Sequence, residues 1–240
     1  MNSEINIFST KKLNCSIASN AARFGFRFIE YDFIEINILA EAAQAKAIEK
    51  CNQNIIFTSA NAVNAYREII EKYALKIPAK NVYCLEEATL EAAGNLSNAT
   101  IISSAKNAET LARLILSQKD MGPMSFFCGN KRRAELPSIL KSGNIAVDEI
   151  VLYNAVARHH AIKEAYDGIL FFSPGAVESF FQANYLPGNI PCFCIGHTTM
   201  GALRQYSNNT ILVAAASSQA AVIDCAQTYF KGQKSNIKNQ

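Results

Sequence analysis

The chain carries one strand–serine–helix unit twice, and this repeat limits its fold more than any other feature. Ile55-Ile56-Phe57-Thr58-Ser59-Ala60-Asn61-Ala62-Val63 resembles Ile169-Leu170-Phe171-Phe172-Ser173-Pro174-Gly175-Ala176-Val177. Each is a short apolar run that ends at Ser, followed by small residues and an apolar-periodic stretch. That pattern reads as a strand, a serine N-cap and a helix. Pro174 takes the first helical position, where its missing N–H costs nothing. The order persists downstream. Val82-Tyr83-Cys84-Leu85 leads into Ala88-Thr89, as Cys192-Phe193-Cys194-Ile195-Gly196 leads into Thr198-Thr199. Thr100-Ile101-Ile102 precedes Ser103-Ser104 and a helix from about Asn107. Thr210-Ile211-Leu212-Val213 precedes Ser217-Ser218 and a helix from about Gln219. A fourth match pairs Ile5-Asn6-Ile7-Phe8-Ser9-Thr10-Lys11-Lys12 with Ser125-Phe126-Phe127-Cys128-Gly129-Asn130-Lys131-Arg132. Units that recur in the same order point to duplication.

Strands alternating with helices imply parallel sheets covered by helices. The expected fold class is therefore α/β, with two similar doubly wound parallel-sheet domains. In such sheets ligands bind beyond the carboxyl ends of the strands. Those ends are expected to carry Ser59, Thr89, Ser103, Cys128-Gly129-Asn130, Ser173, Thr199 and Ser217. Helix N-termini there offer free N–H groups and a partial positive charge, which suits carboxylates or phosphates. The polar tail from Lys231 to Gln240 is expected to be disordered.

Composition narrows the function. The net charge of +3 is too small for a nucleic-acid binder but suits an electropositive pocket for an acidic small molecule. No apolar run approaches the ~20 residues of a membrane span. Residues Met1 to Thr10 lack the charged-then-apolar design of a signal peptide, so the chain is expected in the cytoplasm. The seven cysteines fit that compartment as reduced thiols. There is no C-x-x-C pair, and His159, His160 and His197 read as structural or solvent-exposed residues, so no metal site is expected. The phosphate-loop, dinucleotide and nucleophile-elbow motifs are absent, and no paired carboxylates stand out at the strand ends. An enzyme on this frame must work mainly by shaping and orienting a reactive substrate.

Several motifs together resemble the uroporphyrinogen-III synthase family. One is Phe127-Cys128-Gly129-Asn130-Lys131-Arg132-Arg133-Ala134-Glu135-Leu136-Pro137-Ser138-Ile139-Leu140, a strand, a Gly-centred turn, basic residues and Leu-Pro. It is followed by a tyrosine in Ile150-Val151-Leu152-Tyr153-Asn154-Ala155-Val156. The turns at Phe57–Val63, Phe172-Ser173-Pro174 and Ile195-Gly196-His197-Thr198-Thr199 complete the likeness, over about residues 50 to 225. The resemblance implies a discontinuous domain at residues 1–34 and 158–240, a second at 35–157, and a two-stranded linker. It implies a substrate, hydroxymethylbilane, that loses water, inverts ring D through a spiro intermediate and closes in the cleft between the domains. No cofactor takes part, and the bilane comes from the preceding deaminase of haem synthesis. The chain is expected to be a monomer. Tyr153 is the candidate acid. Ser59, Thr89, Ser103, Gly129, Asn130, Lys131, Arg132, Ser173, Thr198, Thr199 and Ser217 are the candidate substrate donors. Ser59, Ser173, Thr89 and Thr199 could equally serve as helix caps. Two departures from the family pattern stand out: Thr10-Lys11-Lys12 where many members have Thr-Arg-Pro, and Glu86-Glu87 where a Gly turn is usual.

Two other readings fit the bare pattern. One is a non-catalytic two-domain binding protein for an acidic small molecule. The other is a flavodoxin-like regulatory module, which would want an acidic pocket where this chain has Ser9-Thr10-Lys11.

Overall fold

The computed structural model describes residues 4–118 and 121–238. The chain divides into two compact units, Met1–Glu35 with Ala157–Gln240, and Ile36–Val156. It opens in unit 1 with β1 (Ile5–Ser9), α1 (Cys15–Ala22) and β2 (Phe26–Glu30), then leaves along β3 (Ile34–Ile38). Unit 2 continues with α2 (Ala42–Glu49), β4 (Asn54–Phe57), α3 (Ala60–Tyr73), β5 (Lys80–Leu85) and α4 (Ala88–Gly94). It is completed by β6 (Ala99–Ala105), α5 (Ala108–Leu116), β7 (Met124–Gly129), α6 (Glu135–Ser142) and β8 (Val147–Ala157). Back in unit 1 come β9 (Gly168–Phe171), α7 (Pro174–Phe181), β10 (Cys192–Cys194), α8 (His197–Leu203), β11 (Ile211–Val213) and α9 (Gln219–Lys238).

The two sheets share one plan. Unit 1 is ordered β11-β10-β9-β1-β2, and unit 2 is β6-β5-β4-β7-β8 with β3 added beyond β8. Strand for strand, β9 corresponds to β4, β10 to β5, β11 to β6, β1 to β7 and β2 to β8. The ladders of β9, β1 and β4 with their neighbours are parallel. The duplication expected from the sequence is thus present in the topology, with the α/β class. β3 and β8 run in opposite directions. Leu39 N–H donates to the Leu152 carbonyl at 2.8 Å, and Arg158 N–H to that of Phe33 at 2.9 Å.

Each sheet is covered on both faces, which explains its apolar strands. In unit 2, Ile55, Phe57, Val82 and Cys84 face Val63, Tyr66 and Ile69 of α3. On the other face, Ile56, Tyr83, Phe126 and Cys128 meet Leu111 and Ile115 of α5 and Leu136 and Leu140 of α6. In unit 1, Phe8, Ile169 and Phe171 pack on Val177 and Phe180 of α7, while Ile7, Leu170 and Phe193 pack on Val222, Ile223 and Ala226 of α9. The expected disordered tail is corrected here: α9 extends to Lys238, and of that tail only Asn239 and Gln240 lie outside the described residues. A helix nucleated by its buried first turns propagates cheaply into polar residues such as Lys231 and Gln233. Among the described residues no helix is long and apolar enough to cross a membrane.

Candidate active site

Both sheets reverse their winding between the strands that correspond, β9 and β1 in unit 1 and β4 and β7 in unit 2. The crevice beyond the carboxyl ends at such a point is where doubly wound sheets bind ligands. In unit 2 it is furnished by Ser59, Gly129, Asn130 and Tyr153.

Ser59 follows β4 and caps α3, accepting the Asn61 N–H at 3.1 Å. The same oxygen meets Tyr153 Oη at 3.2 Å. One hydroxyl hydrogen is used in that contact, whichever oxygen donates it. The other hydroxyl hydrogen of the pair remains for an outside acceptor. Tyr153 is 9% exposed. Burial, chiefly, raises its phenol above the ordinary value, with a small further push from the Cys128 side chain; the Ser59 hydrogen bond works against them. The phenol is therefore neutral at physiological pH, and its hydrogen is the free one when Ser59 supplies the hydrogen of their contact, the direction in which Ser59 lowers the phenol's pKa. The Cys128 thiol is pushed up to about 11 by burial, so it is protonated as well and is no thiolate nucleophile.

Asn130, just past β7, donates its backbone N–H to the Tyr153 carbonyl at 3.0 Å. Its Oδ1 accepts the Ala155 N–H at 2.9 Å. Lys131 and Arg133 are exposed, and Arg132, also exposed, is paired with Glu149 of β8. Arg132 therefore brings less free charge to this edge than its place in the basic run suggests.

Unit 1 builds its corresponding point differently. Thr10 is buried and donates both its hydroxyl and its N–H to the Leu170 carbonyl, at 2.9 and 3.1 Å. The Ser9 hydroxyl donates to the Lys11 carbonyl. Both hydroxyl hydrogens are consumed within the fold. Where Gly129 of β7 lies opposite Tyr153, Ser9 of β1 lies opposite Glu30. Ser173 caps α7, accepting the Ala176 N–H at 3.1 Å. The linked tyrosine and serine belong to unit 2.

The other candidates are scattered. Thr89 and Thr199 are buried in the first turns of α4 and α8, while Thr198 is exposed. Ser103 was expected at a strand end, but β6 continues to Ala105 and pairs Ser103 with Tyr83. Its strand is an edge strand, where polar residues extend pairing without a desolvation cost. Ser217 is exposed in the bend before α9, and its neighbour Ser218 accepts the Ala221 N–H at 3.2 Å. Sequence reasoning missed the Ser59–Tyr153 contact, because those residues are 94 positions apart. The order of the repeated units held the one available signal. A cavity of about 280 Å³ lined by Tyr66, Ile70, Leu75, Ile77, Lys80 and Leu96 lies at the amino-terminal ends of β5 and β6, away from this crevice. Among the described residues no group of three or more His, Cys, Asp or Glu is placed to hold a metal ion.

The family profile described as Uroporphyrinogen-III synthase HemD matches residues 16–224. The chain belongs to the uroporphyrinogen-III synthase family. Family members are lyases of haem biosynthesis, and the enzyme reading expected from the sequence stands on this match. Solved structures agree in fold. A mutant uroporphyrinogen III synthase from the extremely thermophilic bacterium Thermus thermophilus superposes with a TM-score of 0.68 at 14% identity, over 96% of this chain and 99% of that one. A uroporphyrinogen-III synthetase from Helicobacter pylori gives 0.67 at 16% identity, over 94% and 99%. No curated protein sequence matches the chain significantly. The tetrapyrrole substrate of a uroporphyrinogen-III synthase is a small molecule, and nothing favours the non-catalytic binding reading.

Proposed function

We propose that the carboxyl edge of unit 2, centred on Tyr153, is where the hydroxymethyl group of hydroxymethylbilane loses its hydroxyl. The contact between Tyr153 and Ser59 carries this reading, because it leaves one hydroxyl hydrogen free at a ligand-binding crevice. The pyrrole nitrogen pushes electrons toward the departing hydroxyl. That hydroxyl needs a hydrogen-bond donor as its charge grows. A phenol whose pKa is raised gives up its proton reluctantly, so it stabilises the leaving oxygen by donation, with full transfer left to the end of bond breaking. The exposed cations Lys131 and Arg133 and the helix N-termini after β4, β5 and β9 suit the carboxylates of the bilane. Thr89, Thr198, Thr199, Ser103, Ser173 and Ser217 remain substrate donors in this reading, with Ser59, Gly129, Asn130 and Arg132 around the tyrosine. The bilane closes unaided to the uninverted ring, so the enzyme must steer the geometry as well as speed the closure. The same reading places the enzyme in the cytoplasm as a monomer, supplied with bilane by the preceding deaminase.

The test is Tyr153→Phe, assayed with freshly generated hydroxymethylbilane and with the product isomer identified. General acid assistance contributes roughly 10²–10⁴-fold where it is fully used. Water and the pyrrole nitrogen share the work here, so turnover is expected to fall about ten- to a hundredfold, at or below the low end of that range. The ring and its packing are kept, so thermal unfolding should shift little. Wild-type turnover in the Phe variant would remove Tyr153 from the chemistry.

A further inference from the structure

The geometry points to Gly129 and Asn130 as positioning residues that set the Tyr153 hydroxyl on Ser59, an inference that rests on the proposed role of Tyr153. The first observation is a missing volume. A Cβ on Gly129 would lie 2.5 Å from Tyr153 Cζ, 2.6 Å from Cε2 and 2.9 Å from Oη. Real Cβ atoms do not approach other atoms so closely. Gly129 is not among the residues of positive φ, so its backbone shape is open to any residue. Space alone calls for glycine here: the hydroxyl end of the Tyr153 ring occupies the place a methyl group would take.

The second observation is a shift of register. Cys128 lies opposite Val151, but Gly129 lies opposite Tyr153, so β8 spends one residue more than β7 at this point. A regular strand sends consecutive side chains to opposite faces. Leu152 and Tyr153 instead pack into the same hydrophobic cluster with Phe57 and Phe127. Bulges of this kind re-aim a side chain. Without it Tyr153 would point to the α5–α6 face, away from Ser59.

Asn130 holds the shifted segment. Its N–H donates to the Tyr153 carbonyl and its Oδ1 accepts the Ala155 N–H, so one residue grips β8 on both sides of Asn154. The side-chain oxygen that could have served substrate is thus engaged by the fold.

The experiment is a double-mutant cycle with a spectroscopic arm. Gly129→Ala is expected to lower turnover about ten- to a hundredfold, as Tyr153→Phe does. The double variant should lose no more than either single one, since both changes remove the same donor. In protein labelled with ¹³C at tyrosine Cζ, the resonance absent from Tyr153→Phe should move in Gly129→Ala and in Asn130→Ala, and the other tyrosines should keep their positions. If Gly129→Ala does not fold, Asn130→Ala, which adds no volume, carries the same cycle with a smaller loss. Additive losses, or an unmoved Tyr153 resonance, would overturn the inference. The two failures are distinguishable. Wild-type turnover in Tyr153→Phe sinks the proposed function, whereas a loss in Tyr153→Phe with full activity in Gly129→Ala sinks only the positioning role.

Discussion

A serine that caps a helix and touches a tyrosine performs two tasks with one oxygen. Ser59 satisfies an N–H at the start of α3 and at the same time lowers the Tyr153 pKa against the larger, upward pull of burial. Ser59→Ala separates these effects. The cap is worth about 1 kcal/mol of stability. Loss of the hydrogen bond should raise the Tyr153 pKa further, because the contact that opposes desolvation is gone. A ¹³C tyrosine titration reads that shift, and a downward movement would mean that Ser59 does not favour the phenolate. The stability linkage has a definite sign. The folded Tyr153 pKa lies above the unfolded value of about 10, so its contribution is fully present below pH ~10 and is lost as pH rises through the folded pKa. Buried Cys192 and Cys194, pushed up to about 12, act in the same direction. The protein should therefore unfold more readily in alkali, with no penalty from these groups near neutrality.

At the level of elements, local chemistry was readable and long-range register was not. Ser59 and Ser173 could be recognised as caps because a cap is settled within three or four residues. The repeated strand–helix order disclosed the α/β class and the duplication for the same reason. The ion pair of Arg132 with Glu149, the continuation of β6 through Ser103 and the bulge that aims Tyr153 each depend on a neighbouring strand. Helix α4 shows the limit from another side. Its N-cap, Glu87, lies at φ 61 and ψ −129, a conformation that favours glycine. Such backbone strain costs roughly 1–3 kcal/mol, against about 0.5–1 kcal/mol for the extra freedom of an unfolded glycine. Glu87→Gly is therefore expected to be more stable than Glu87→Ala, which loses the same side chain, by about 1 kcal/mol, or ~2–4 °C in Tm for a chain of this size. Glu87→Ala keeps the Cβ and should not stabilise. Scanning calorimetry on both variants checks this, and an equal loss in both would show that the acidic side chain, and not the backbone, matters at this turn.

At the level of the whole molecule, the chain path makes the two units unequal in how they can be cut. Unit 2 is one continuous segment, and its two cores are filled by residues between Ala45 and Tyr153. Unit 1 is assembled from both ends of the chain, and its β1 lies inside the sheet between β9 and β2. Removing residues 1–35 takes away an interior strand, its edge neighbour and α1. It also strips Ile7, Phe8, Leu13, Phe26 and Phe33 from the two cores of that unit. Burial of each such side chain contributes roughly 1.5–3 kcal/mol. Five of them match the ~5–15 kcal/mol by which a whole domain is stable. A fragment of residues 34–157 is therefore expected to fold alone, with α/β circular dichroism and a single cooperative thermal transition. A fragment of residues 157–240 should show no such transition, although it holds three strands and three helices of unit 1. The physical reason lies in β9, whose four residues are all buried and whose edge toward β1 would present unpaired backbone groups to water beside exposed Phe171 and Leu170. Cooperative unfolding of the 157–240 fragment would mean that β1 adds to a sheet already stable without it. Loss of structure in the 34–157 fragment would mean that unit 2 depends on the rest of the chain despite its continuous path.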